Sequence, residues 1–108
     1  MNYYKYRTIA QFFKALSHPT RLMIVNELLN KKRCVNDIEE ILELKQPNIS
    51  QHLNLLRLLN IVDFKQDGNK KCYFLNNPEL IQDLLRVVKD IKITAETAND
   101  NEMKKTLK

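Results

Sequence analysis

Gln46, Ser50, Gln51, Asn54 and Arg57 crowd into one short stretch, LKQPNISQHLNLLRLLNIV, between Leu44 and Val62. At about 100° per residue a helix would put them on one side and Ile49, Leu53 and Leu56 on the other. Amides and short hydroxyls pair with base edges, and a guanidinium reaches phosphate. No acidic residue occurs between Leu44 and Val62, whereas an ordinary solvated face is dominated by Glu and Lys. The chemistry is therefore recognition of a polyanion. Asn48 shares the leading end of the stretch but is turned sideways, and Arg57 lies far enough along to meet phosphate before base. His52 falls between the two faces, as a packed or surface histidine. Pro47 suits a first helical turn, and Asn60 suits a left-handed stop.

The elements that would hold this helix read in order. Tyr6, Ile9, Ala10, Phe12, Phe13 and Leu16 recur at helical spacing over Tyr4 to Leu16. Ser17 or His18 then caps a second helix with Pro19 in its first turn and Leu22, Ile24, Val25, Leu28 and Leu29 as its apolar set. Cys34 and Val35 make a very short strand. Asn36 and Glu39 have the spacing of a capping box for a two-turn helix on Ile38, Ile41 and Leu42, and Glu43 to Lys45 is a tight connection. Two short helices across such a turn form a helix-turn-helix.

Beyond Asn60 the period changes to two. Val62 and Phe64 alternate with Asp63 and Lys65, and Cys72-Tyr73-Phe74-Leu75 follows a turn on Asp67-Gly68, so a hairpin with the chain's only glycine at its tip is expected. Lys65, Asn69, Lys70 and Lys71 make it a basic finger suited to phosphates, the plainer role being a solvated loop that protects a sheet edge. Leu80, Ile81, Leu84, Leu85, Val87, Val88, Ile91 and Ile93 give a last helix too apolar for the surface of a small monomer. Residues 1–98 are thus expected to form one domain, with 99–108 as a polar, frayed tail.

Composition agrees with this plan. At 108 residues, 44% apolar and 29% charged, the chain suits one globular core and not a disordered segment. Its net charge of +5 suits an anionic partner. No apolar run approaches the roughly 20 residues of a bilayer span, and the leading residues lack the apolar segment of a secretion signal, so a cytoplasmic location without membrane attachment is expected. Two cysteines, Cys34 and Cys72, are too few for a disulfide framework and read as thiols. An enzyme is not expected: the sequence has no glycine-rich phosphate loop, no recognisable nucleophile with its base and no metal cluster.

The element order is that of a winged helix-turn-helix, a mainly α (α+β) fold of about five helices, a short strand and a two-stranded wing. Three segments also resemble the ArsR/SmtB family of bacterial metal- and stress-responsive repressors. FKALSHPTRLMIVNELL is similar to its second-helix signature, LKQPNISQHLNLLRLLNIV to its recognition helix and DGNKKCYFL to its wing, together spanning roughly Phe12 to Pro78. The resemblance implies a homodimer through the first and last helices that binds an imperfect palindrome of double-stranded DNA and lets go when an inducer binds. It also implies that the strand holding Cys34 pairs with the wing strand holding Cys72, which would make the two thiols neighbours and a sensor for an oxidant or a soft metal; two small buried residues are the plainer reading. Departures are evident: Lys45 replaces a capping serine, only the first thiol of a C-x-C pair is present at Cys34-Val35-Asn36, and no histidine follows His52. No resident cofactor or metal is therefore expected. The rival reading is a winged-helix module that binds protein or RNA without sensing anything.

Overall fold

The computed structural model describes residues 2–92. Asn2 opens α1 (Tyr3–Leu16), its side-chain oxygen accepting the Tyr4 N–H at 2.9 Å. His18 opens α2 (Pro19–Leu28) in the same manner: Nδ1 accepts the Thr20 N–H at 3.1 Å, and Pro19 occupies the first turn, where its missing N–H leaves no bond unmade. Strand β1 is only Arg33–Cys34, one residue earlier than expected, because Val35 already belongs to α3 (Val35–Leu42). The cap of α3 is accordingly Cys34 and not Asn36. The Asp37 carboxylate accepts the Cys34 N–H at 3.3 Å, which places Asn36 inside the first turn.

A left-handed Glu43 (φ 55°) turns the chain between α3 and α4 (Gln46–Leu58). Lys45 stands at the cap of α4 without a side-chain bond, as its chemistry requires. Asn60, at φ 62°, ends the helix in the conformation that asparagine tolerates best among non-glycine residues. Strands β2 (Val62–Asp67) and β3 (Lys70–Leu75) then form the hairpin. Its turn is Gly68-Asn69, with glycine at φ +63°, a left-handed position that a side chain would strain. The sheet order is β1-β3-β2, antiparallel throughout. Helix α5 (Pro78–Val88) starts from Asn77, whose side chain accepts the Leu80 N–H at 3.2 Å, and is shorter than the apolar run predicts. Ile93 and the expected 98/99 boundary lie outside the described residues.

The core is one cluster with Ile24, Val25, Ile38, Ile49, Leu53 and Leu56 all fully buried, closed by Val62, Tyr73 and Leu75 from the sheet and Ile81 from α5. Among the described residues no polar or charged residue is buried as a whole, although Arg33 Nε is enclosed without a hydrogen-bond partner. The apolar residues left outside are concentrated on α1 (Tyr3, Tyr4, Tyr6, Ile9, Phe13) and α5 (Leu80, Val87, Val88), with Ile91 just beyond.

Candidate nucleic-acid interface

Three leucine and isoleucine anchors fix the direction in which α4 presents itself. Ile49, Leu53 and Leu56 sit at 0% exposure beneath the helix, and full burial of each such side chain stabilises by about 1.5–3 kcal/mol. Asn48, Gln51, Asn54 and Arg57 are consequently exposed on its outer side, and Ser50 is half-buried at the edge. Gln46 is the first residue of the helix.

Along one flank of α4 runs a cleft of about 480 Å³. Ser50 and Asn54 line it from α4, and Asn69, Lys70 and Lys71 face them from the wing. The start of α3 adds Cys34 and Asn36 at its end, and Gln66 and Tyr73 complete the wall. Half of the residues predicted to contact nucleic acid thus converge here. Asn48 and Gln51 lie on the outer face of α4, while Lys65 is exposed on the wing outside the cleft. Arg57 has a different setting from the free phosphate ligand expected of it: its guanidinium pairs with Asp63 at 3.4 Å and lies 4.5 Å above the Phe64 ring. It braces α4 against the base of the wing.

Asn36, Gln66 and Tyr73 were not singled out by sequence reasoning. Gln66 had a usable signal, two residues beyond half-buried Phe64 and so on the same strand face. Asn36 was hidden by its reading as a cap.

None of the described residues lining the cleft is acidic. Amide, hydroxyl and ammonium donors without an opposing carboxylate suit a phosphate–sugar backbone. Lys71 lies with Nζ 4.9 Å above the Phe64 ring, which orients it along the wing. Burial pushes the Tyr73 hydroxyl above its ordinary range, against the pull of Arg57, so Tyr73 lines the wall as a neutral phenol. Among the described residues there is no group of three or more histidines, cysteines or carboxylates able to hold a metal ion.

Opposite the cleft, Arg21 ties α1, α2 and α4 together. Its Nε donates to the Ala15 carbonyl, one terminal nitrogen approaches the Lys14 carbonyl at 3.3 Å and the other lies 3.3 Å from His52 Nδ1. The rings of His18 and His52 are 4.4 Å apart. Burial, then His18 and Arg21, lower the His52 pKa, so its neutral form is favoured. His52 is a packing residue and His18 a cap, each as the sequence predicts.

The two cysteines depart from the expectation of free thiols. Cys34 stands opposite Cys72 in the β1–β3 register with Cα atoms 3.7 Å apart, and the structure joins them in a disulfide. Sequence distance misleads here because antiparallel pairing brings residues far apart in the chain face to face.

A helix-turn-helix with its second helix anchored below and polar above, flanked by a basic hairpin, defines a winged helix-turn-helix DNA-binding protein. Residues 18–63 match the family model described as bacterial regulatory protein, arsR family. An uncharacterised helix-turn-helix transcriptional regulator of Methanocaldococcus jannaschii is 35% identical over 88 residues, covering 81% of this chain and 98% of the relative. The transcriptional repressor SmtB of Mycobacterium tuberculosis is 32% identical over 78 residues, 72% of this chain and 58% of that one. Among solved structures, HlyU from Vibrio cholerae superposes with a TM-score of 0.75 at 27% identity, over 83% of this chain and 100% of HlyU. The chain belongs to the ArsR family of transcriptional regulators. No helix among the described residues is long and apolar enough to cross a membrane.

Proposed function

We propose that the chain acts in the cytoplasm as a homodimeric repressor that binds an imperfect palindrome of double-stranded DNA and releases it in response to an inducer. The observation that carries this reading is the two-sidedness of α4. Three fully buried anchors lie below it, and amides with a hydroxyl lie above it beside a carboxylate-free, lysine-bearing cleft. Asn48, Gln51 and Asn54 reach base edges from its first turns, while Ser50, Asn69, Lys70 and Lys71 hold the backbone across the cleft. Lys65 adds charge from the far side of the wing, and Arg57 keeps the helix and wing in register.

Dimerisation rests on the apolar faces of α1 and α5. Val87 is 80% exposed and Ile91 68%, an arrangement that water disfavours and a twofold partner would cover. Two copies would set their α4 helices about one DNA turn, ~34 Å, apart, which dictates palindromic half-sites.

The test is a gel shift with the DNA upstream of the protein's own gene, run across a salt titration. Binding should weaken steeply with salt, and Ser50→Ala combined with Gln51→Ala should abolish it while leaving the circular dichroism unchanged. Undiminished binding by that double variant would move the contact surface off α4, to the protein or RNA partner of an interaction module.

A further inference from the structure

We infer that Cys34 and Cys72 form a reversible dithiol–disulfide switch, closed by peroxide, that lowers affinity for DNA when oxidised. The inference rests on the DNA reading above and gives it a regulator. The bridge spans 38 residues of sequence and ties the start of α3, the first helix of the helix-turn-helix, to the second strand of the wing. Strand β1 has only two residues, paired with Tyr73 and Cys72. Two ladder pairs are a short attachment, and the sulfur bridge adds a covalent tie between the wing's base and the start of α3 to the packing of Tyr73 and Leu75 in the core.

The two sulfurs differ in access. Cys34 is half-buried and lines the cleft between α4 and the wing, whereas Cys72 is 1% exposed. A small oxidant therefore reaches Cys34 first. In the reduced chain that sulfur stands at the N-terminus of α3, in a cleft also lined by Lys70 and Lys71, with the Asp37 carboxylate on the Cys34 N–H. Cationic neighbours and a helix N-terminus favour the thiolate, the nucleophilic form.

The chemistry balances with hydrogen peroxide as oxidant. Cys34 thiolate attacks one peroxide oxygen, the O–O bond breaks, and Cys34 becomes a sulfenic acid while hydroxide leaves and takes up a proton as water. The Cys72 sulfur then attacks the sulfenic sulfur, the S–O bond breaks, a second water departs with the Cys72 proton, and the S–S bond forms. Two electrons pass from the thiols to one peroxide. A cellular dithiol returns them by exchange.

Coupling follows from where the bridge lies. The cleft is the surface the DNA backbone enters, and the crosslink ties its wing wall to the start of α3 at the cleft's end. The wing then cannot ride outward to straddle the backbone. Linkage makes the effect reciprocal: DNA that prefers the reduced form must protect the pair from oxidation by the same factor.

The decisive experiment uses the whole chain, reduced with dithiothreitol or treated with hydrogen peroxide, titrated onto the DNA upstream of its own gene. The oxidised form should weigh two hydrogens less, carry no free thiol and bind about 5- to 150-fold more weakly, the usual span of such couplings. Cys34→Ser should form no bridge, and its affinity, whatever its level, should be the same with and without peroxide. Cys72→Ala, chosen to add no hydroxyl to a buried position, should stop at a sulfenic acid on Cys34 that a 1,3-diketone traps, and bound DNA should slow that trapping. Equal affinity of the two redox forms, tighter binding by the disulfide form, absence of an intramolecular bridge after peroxide, or a peroxide response that survives Cys34→Ser each overturns the inference and leaves the DNA reading standing. Failure of both redox forms to bind overturns the DNA reading and takes the switch with it.

Discussion

Helices α4 and α5 both carry a broad apolar stripe, yet the fold covers only one of them. On α4 the residues Ile49, Leu53 and Leu56 are all at 0% exposure, held between α2, α3 and the sheet. On α5 only Ile81 is buried, Leu84 and Leu85 are half-covered, and Leu80, Val87 and Val88 face outward. An apolar stripe thus states that something must cover it without saying what. For α4 the cover is the chain's own core, which is why its polar side is rigidly aimed. For α5 the described residues supply too little cover, and the face left open is the one that the proposed second copy would take.

The sharpest break in this comparison is on the covered side. Leu53→Ala leaves a cavity beneath α4 that close-packed neighbours refill only in part. It should cost about 2–5 kcal/mol, read from the urea midpoint, and should weaken DNA binding because the helix loses its seat. A cost below about 1 kcal/mol would mean that α4 is not anchored as described. On the uncovered side, Val87→Glu should behave in the opposite manner. The folded protomer should change by less than about 0.5 kcal/mol, as exposed substitutions do, while sedimentation shifts toward the monomer. Affinity for the palindrome should fall by about a hundredfold or more as two linked sites become independent ones. A variant that stays dimeric would separate α5 from the interface.

A finer test concerns the wing. Lys70→Ala with Lys71→Ala removes the two ammonium groups that line the cleft. Affinity should drop similarly for cognate and unrelated DNA, and the slope of log K against log salt should become shallower by about 1 for each phosphate that is no longer neutralised. Retention of the full slope would return these lysines to the role of a solvated loop.

How much of this was legible beforehand depended on whether a residue's role is set by its near neighbours. The seat of α4, the stop at Asn60 and the cap at His18, one of the two expected, are local consequences of spacing and backbone preference and stand where the pattern puts them, while the turn comes one residue later than expected, at Gly68-Asn69. The cap of α3 was misplaced because two hydrogen-bonding solutions compete there, and Asp37 reaching back to Cys34 displaces the cap expected at Asn36. The engagement of Arg57 by Asp63 and Phe64 and the meeting of Cys34 with Cys72 depend on how β2 and β3 fold back. Composition alone carries no record of that. The cleft itself belongs to this second kind, since it exists only where α4, α3 and the wing meet.

The smallest expected effect is on the side of α4 that faces α2. The His52 ring packs against His18 and near Arg21, and burial with these two neighbours lowers its pKa from the ordinary value of 6.5. Below 6.5 the unfolded chain takes up a proton that the folded chain resists. The unfolded state then binds more protons, so stability rises with pH in this window. The contribution of neutral His52 is therefore complete above 6.5 and is lost as pH falls through the lower, folded value. Urea midpoints measured from about pH 7.5 down to about 5 should decline gently in the parent chain and more nearly hold level in His52→Gln, whose amide oxygen can still accept from Arg21 without titrating. Identical pH profiles for the two proteins would show that His52 charges without penalty, and that the contact between α2 and α4 is looser than the anchoring on the core side.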